Sequence, residues 1–325
     1  MSHLLFAVNA TASIVILVAI GYVLKKLGML DGGAAKALNK LVFRLFLPAM
    51  LFLNIYKIES LAAVDFSFVR YALLATLALF AVAMVAVIFF TKENAKRGPL
   101  LQATFRANYA LVGIPLATSL FGTEGAIAAT VLSAFLIPVF NALAVIALCI
   151  FSSDKKPSVK KILIGIVKNP LIQSIALGFA ALGIRALLVR WGVAFRIADI
   201  EPIYKTLGSL SSVATPLALL VLGAQFELSA IPTLKKHIIF GVVARNLVAP
   251  LAGLGVAYFL GGFSGAHFAT FVAVFCTPVA VSSVPMAQEM DADVSLAGQL
   301  VVWSTLFSIV SIFLSSYILK ALGVF

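Results

Sequence analysis

The chain has 325 residues, 62% hydrophobic and 11% charged, with a net charge of +12 and a mean hydropathy of +1.13. Soluble domains carry roughly 25% charged residues, so this composition excludes a large soluble core and points to a polytopic membrane protein. In a soluble chain the basic excess would suggest nucleic acid, but lysines and arginines flanking membrane spans account for most of it here.

The first apolar run, Leu4 to Leu24, ends in Lys25-Lys26, and Met1-Ser2-His3 lacks the basic start of a secretory signal. It reads as a first transmembrane helix. Further spans follow near 38–56, 69–90, 99–121, 125–151, 162–184, 205–225, 237–260, 266–288 and 296–321, each close to the roughly 20 residues that cross a bilayer. Loops after odd-numbered spans hold 12 Lys and Arg, the opposite side 7, most of them between Arg185 and Lys205. This imbalance places Lys96 and Lys155 in the cytoplasm and both termini outside. The stretch Arg185 to Arg196, with Trp191 and Phe195, reads either as an interfacial helix or as a plain loop on the outer face.

The polar segment Ser152 to Ser158 marks a cytoplasmic linker, 152–161, between five spans in 1–151 and five in 162–325. An odd number of spans per half makes the second repeat inverted relative to the first. Matching prolines support the repeat: Pro48 and Pro115 lie in spans 2 and 4, Pro216 and Pro278 in spans 7 and 9, at intervals of 67 and 62 residues. Spans 4 and 9 are expected to break at Gly113-Ile114-Pro115 and Cys276-Thr277-Pro278, since proline removes a backbone donor and frees a carbonyl. Such breaks are tolerated where unwound backbone faces protein or a watery cavity, and paired breaks mark a carrier's binding site.

Half-helices beginning after Pro115 and Pro278 would present free N–H groups to an anion. Asn108 can donate to a carboxylate, with Ser282 and Ser283 adding hydroxyls; alternatively these small polar groups only join helices. Arg106 and Arg245 lie well inside spans 4 and 8 without an equally central acid, which suits an anionic substrate. Arg106, nine residues before Pro115, would stand at the cytoplasmic mouth of the site or snorkel to headgroups. Arg245 reads as structural, holding core helices together. Glu289 and Gln225 are candidates for coupling a cation, against a helix-end and a packing role respectively. Ala249, Gly253, Ala257 and Gly261 form a small-residue face for internal packing rather than a dimer seam.

Cys149 and Cys276 lie in apolar runs, the three histidines are scattered, and no phosphate-binding glycine loop or nucleophile–base grouping occurs. The expectation is no enzyme, no cofactor and no metal, with sodium or proton coupling left open.

At these residues the chain resembles the auxin efflux carrier family, which includes bacterial malate or malonate permease-like members and plant PIN-type carriers. The resemblance rests on Leu38-Asn39-Lys40-Leu41-Val42-Phe43 with Leu47-Pro48-Ala49, Asn108 with Gly113-Ile114-Pro115, and Thr215-Pro216-Leu217-Ala218 with Leu222-Gly223. Arg245 with Ala249-Pro250, and Pro278 with Ala287-Gln288-Glu289, extend it across nearly the whole chain. It implies an all-α fold of ten transmembrane helices in two inverted repeats, similar to bile acid:sodium symporters and sodium/proton antiporters. Spans 1, 2, 6 and 7 would form a scaffold that pairs two protomers. Spans 3–5 and 8–10 would form a core that moves as an elevator, with Asn108 as the crossover asparagine. The second crossover is matched only loosely, through Pro278 and the displaced Pro285, and the long hydrophilic loop of many plant members is absent. The expected function is secondary active or facilitative transport of a small organic anion (malate, malonate or an auxin-like acid) across an inner or plasma membrane. A passive anion channel or a receptor on the same fold is the alternative.

Overall fold

Apolar runs this long leave backbone polar groups no partners in lipid except one another, so the chain folds into helices. The computed structural model describes residues 2–57, 66–151, 159–263 and 265–324. Its helices are α1 (Ser2–Lys26), α2 (Gly32–Tyr56), α3 (Phe66–Phe90), α4 (Asn94–Phe105), α5 (Tyr109–Phe151) and α6 (Val159–Lys168). They continue as α7 (Pro170–Arg190), α8 (Glu201–Gln225), α9 (Leu228–Leu260), α10 (Gly265–Phe275), α11 (Ser283–Glu289) and α12 (Val294–Ala321). Among the described residues seven of these, α2, α3, α5, α7, α8, α9 and α12, are long and apolar enough to cross a membrane.

Helix α5 is two arms. Phe121 and Gly122 leave helical geometry, Gly122 at a φ of 58° that favours glycine. The arms fold back on each other: the Tyr109 hydroxyl donates to the Ala129 carbonyl at 3.0 Å, although 20 residues separate them.

Three π-helical segments, Val42–Phe46, Tyr109–Gly113 and Ala244–Val248, each end two residues before a proline: Pro48, Pro115 and Pro250. The widened turn absorbs the donor that proline lacks without ending the helix. The break expected at Gly113-Ile114-Pro115 is therefore corrected: helix runs through it, and Pro115 points outward, exposed. Pro99, inside α4, frees the Ala95 carbonyl, which accepts the Asp293 N–H at 2.9 Å and ties the start of α12 to α4.

Two further expectations concern connections. Of the linker, Ser152 to Ser158 lie outside the described residues, while 159–161 already belong to α6. The stretch from Arg185 is no separate interfacial helix, because α7 runs to Arg190 and a 3-10 turn, Ile197–Asp199, leads into α8. Arg185 donates to the Tyr56 carbonyl at 3.0 Å and the Ile197 N–H to the Tyr56 hydroxyl at 2.7 Å, so this stretch is docked on the end of α2.

Helix α1 packs on α8, and the second half of α2 on α7 and α8; α10 packs on α5, and α9 on α12. Glycines let α1 and α8 approach until backbones touch. A Cβ on Gly223 would lie 2.0 Å from the Val18 carbonyl oxygen, and one on Gly21 would lie 2.1 Å from that of Leu220. Gly223→Ala is expected to destabilise the protein by about 1–3 kcal/mol, the usual cost of overpacking, read as a lowered melting temperature in detergent. The face of Ala249, Gly253 and Ala257 is likewise internal, with Gly253 against the Phe275 ring, whereas Gly261 is exposed and caps α9.

Candidate anion site at the crossing of two broken helices

Arg106 and Asn108, on either side of Ala107, interrupt an apolar span, and the backbone leaves the helix there. Residues 276–282 do the same between α10 and α11. The two unwound segments satisfy each other. Asn108 N–H donates to the Pro278 carbonyl at 2.7 Å and Ala280 N–H to the Arg106 carbonyl at 3.2 Å, flanking an antiparallel bridge between Ala107 and Val279. The Ser304 hydroxyl of α12 accepts the Val279 N–H at 3.0 Å. Without this pairing, each buried unpaired backbone group would cost about 1–3 kcal/mol.

Four helix ends converge at the crossing, and two buried arginines bind around it. Arg245, 1% exposed, donates to the carbonyls of Thr277 (2.7 Å), Val274 (2.6 Å) and Thr104 (3.3 Å). It thus caps the carboxyl ends of α4 and α10, where the helix dipoles are negative. Its structural reading follows directly from these three bonds.

Arg106 reaches the start of α11, the last turn of α4 and the second arm of α5. It neither snorkels nor stands at a mouth: it is 2% exposed. One guanidinium nitrogen donates to Gln102 Oε1 (2.9 Å) and Ser283 Oγ (3.2 Å), the other to Asn141 Oδ1 (2.7 Å) and Ser282 Oγ (2.9 Å). All four partners are neutral. The adjoining cavity of about 250 Å³ is walled by Arg106, Asn108, Asn141 and Ser282 on one side and by Met50, Asn54 and Thr215 on the other. Among its described lining residues none is acidic. Asn108, 8% exposed, leaves its Nδ2 without a partner, as does Gln102 its buried Nε2. A buried cation with neutral partners and an adjacent orphan donor leaves room for an anion.

Of the residues singled out from sequence, Arg106, Asn108 and Ser282 are brought together on the cavity, with Ser283 behind them on the guanidinium. Pro278 contributes its carbonyl to the crossing. Gly113 and Pro115 do not reach the cavity; a Cβ on Gly113 would meet the Tyr109 ring at 2.9 Å. Gln225 Nε2 donates to Gln288 Oε1 at 2.8 Å, and Glu289 pairs with Arg44 at 3.6 Å, so neither lines the cavity. Sequence reasoning missed Gln102, Asn141, Asn54 and Thr215. Gln102 stands one helical turn before Arg106, and Asn141 lies alone in an apolar run after Pro138, both signals of the kind that singled out Asn108.

Known proteins are similar to this chain over nearly its full length. An uncharacterised transporter of Methanothermobacter thermautotrophicus is 26% identical over 312 residues, covering 94% of this chain and 96% of the relative. An uncharacterised transporter of Methanocaldococcus jannaschii is 27% identical over 317 residues, with the same coverage. The membrane transport protein family model matches residues 6–316, so the chain belongs to this family, that of the auxin efflux carriers.

Proposed function

We propose that the protein is a secondary active or facilitative transporter of a small organic anion, a carboxylate such as malate, malonate or an auxin-like acid. The observation that carries this reading is the buried Arg106, held by neutral groups beside the unpartnered Asn108 Nδ2 on the cavity. A substrate carboxylate would accept from both. Ligand pockets for drug-sized molecules run from about 300 Å³ upward; a cavity of about 250 Å³ suits a smaller acid.

The membrane architecture proposed with it is ten spans in two inverted five-helix repeats, 1–151 and 162–325. The two arms of α5 count as parts of spans 4 and 5, α4 completes span 4, and α10 with α11 makes span 9. The cavity walls support an elevator: Leu47, Met50, Leu51, Asn54, Leu171, Ala214, Thr215 and Ala218 come from α2, α7 and α8, the rest from the crossing segments and α5. In this reading α1, α2, α7 and α8 are the scaffold that pairs two protomers, both termini lie outside the cytoplasm, and the core carries the anion past the scaffold in an inner or plasma membrane.

The test is a thermal-shift screen of purified protein with dicarboxylates and aromatic acids, with and without sodium, followed by counterflow in proteoliposomes. Stabilisation follows ligand affinity by mass action, and the expected result is a raised melting temperature with one acid class. Saturable counterflow of that acid separates a carrier from a channel or receptor. Absence of stabilisation by any carboxylate would remove the anion assignment.

A further inference from the structure

Two apolar grooves lie on either side of α9, away from the crossing cavity. The first, about 450 Å³, runs between α9 and α12 and is lined by Ile238, Leu247, Trp303 and Leu314, with Lys235 one turn in from Ile231 near one end. The second, about 540 Å³, runs between α3 and α9 and is lined by Val82, Phe90, Phe240 and Val248, with Lys236 at one end. Ile239 and Val243 form the ridge that both grooves share. Along α9 each groove extends twelve residues from its lysine, to Leu247 and Val248 respectively, about 18 Å at helical rise. That is the depth of one leaflet, half of a hydrocarbon core of roughly 30 Å.

Both lysines are exposed, and neither has an acidic partner among the described residues. The neighbouring acid is already engaged, since Glu93 pairs with Lys96 at 2.6 Å, and Asp293 accepts the Leu296 N–H at the start of α12. Adjacent cations thus stand at the head of two grooves that diverge over a single apolar ridge. A lone fatty chain would leave one groove and one cation unused. A two-chain lipid with a phosphate head matches all four features.

We propose that this face of α9 binds one anionic phospholipid of the adjacent leaflet, its phosphate on Lys235 and Lys236 and one acyl chain in each groove. The lipid belongs to a site separate from the anion cavity, although the second groove reaches Thr104 and Ala244, next to Arg245. The test is native mass spectrometry and melting of purified protein titrated with phosphatidylglycerol or phosphatidylcholine. Phosphatidylglycerol is expected to bind more tightly and raise the melting temperature further. Lys235→Gln and Lys236→Gln should each reduce that preference about fivefold, the weight of one basic side chain near an anionic surface. Val82→Trp and Leu247→Trp, each filling one groove, should weaken phosphatidylglycerol binding while both lysines remain. Equal affinity for the two lipids, or an unchanged preference in the double lysine variant, would overturn the proposal. So would equal protection by glycerol phosphate alone, which places a free phosphate on the lysines, or a change of oligomeric state in Leu247→Trp, which places a second copy in the groove.

Discussion

Arg106→Gln is expected to abolish carboxylate binding while leaving a folded protein whose melting temperature without ligand is little changed. A hydrogen bond to a charged group contributes about 1.5–3 kcal/mol, so losing one costs roughly ten- to over a hundred-fold in affinity. Loss of the guanidinium removes both its donors and the only cation on the cavity wall among the described residues, which puts the expected effect at or above the top of that range. Stability moves differently. In the empty protein the guanidinium is already desolvated and held by Gln102, Asn141, Ser282 and Ser283 alone. Removing a desolvated charge that has no ion partner offsets the hydrogen bonds lost with it, and the amides and hydroxyls of Gln102, Asn141, Ser282 and Ser283 can pair with one another or with the new amide. Asn108→Ala should lose about ten- to over a hundred-fold on its own, because it removes one donor and leaves the charge in place. Affinity measured by thermal shift, beside the melting temperature of each empty variant, decides the matter. Normal binding in Asn108→Ala would return that residue to helix packing, and normal binding in Arg106→Gln would move the anion elsewhere.

The crossing was partly legible in the residues, and the reasons differ between its two strands. In the second strand, Pro278 sits where the helix does break, because its missing donor falls where residues 276–282 are unwound. In the first strand the same rule pointed to Pro115 and was wrong by seven residues. A π-turn from Tyr109 to Gly113 took up the missing donor locally, and the true break at Arg106–Asn108 contains no proline. What unwinds it is pairing with residues 278–280, about 170 residues away, a partner that no local pattern displays. Arg106 likewise could not be placed from spacing along an assumed straight helix, since that helix stops at Phe105. The long spans, by contrast, needed only their own composition. Asn108 was legible as a polar residue in an apolar run, and Asn141 carried a similar signal.

Arg245→Met is expected to be the most destabilising single change at the crossing, and to act on folding rather than on anion affinity. Its three bonds go to backbone carbonyls of Thr104, Val274 and Thr277, which lie at the ends of two different broken helices and, among the described residues, have no second donor. Methionine keeps an unbranched apolar stem and offers no donor, so three buried acceptors are left at the negative ends of two helix dipoles. Each orphaned acceptor costs about 1–3 kcal/mol. Lysine should recover part of this, because an ammonium keeps the charge but cannot reach three carbonyls in the planar fork that guanidinium provides. The measurement is the melting temperature and folded yield in detergent for Met and Lys at this position. The order wild type, Lys, Met is expected, and any Met variant that can be purified should bind the carboxylate with nearly normal affinity, since Arg245 does not line the cavity. A stable Arg245→Met protein with lost binding would reverse the roles of the two arginines, because it would show the charge acting on the ligand while the helix ends hold together without it.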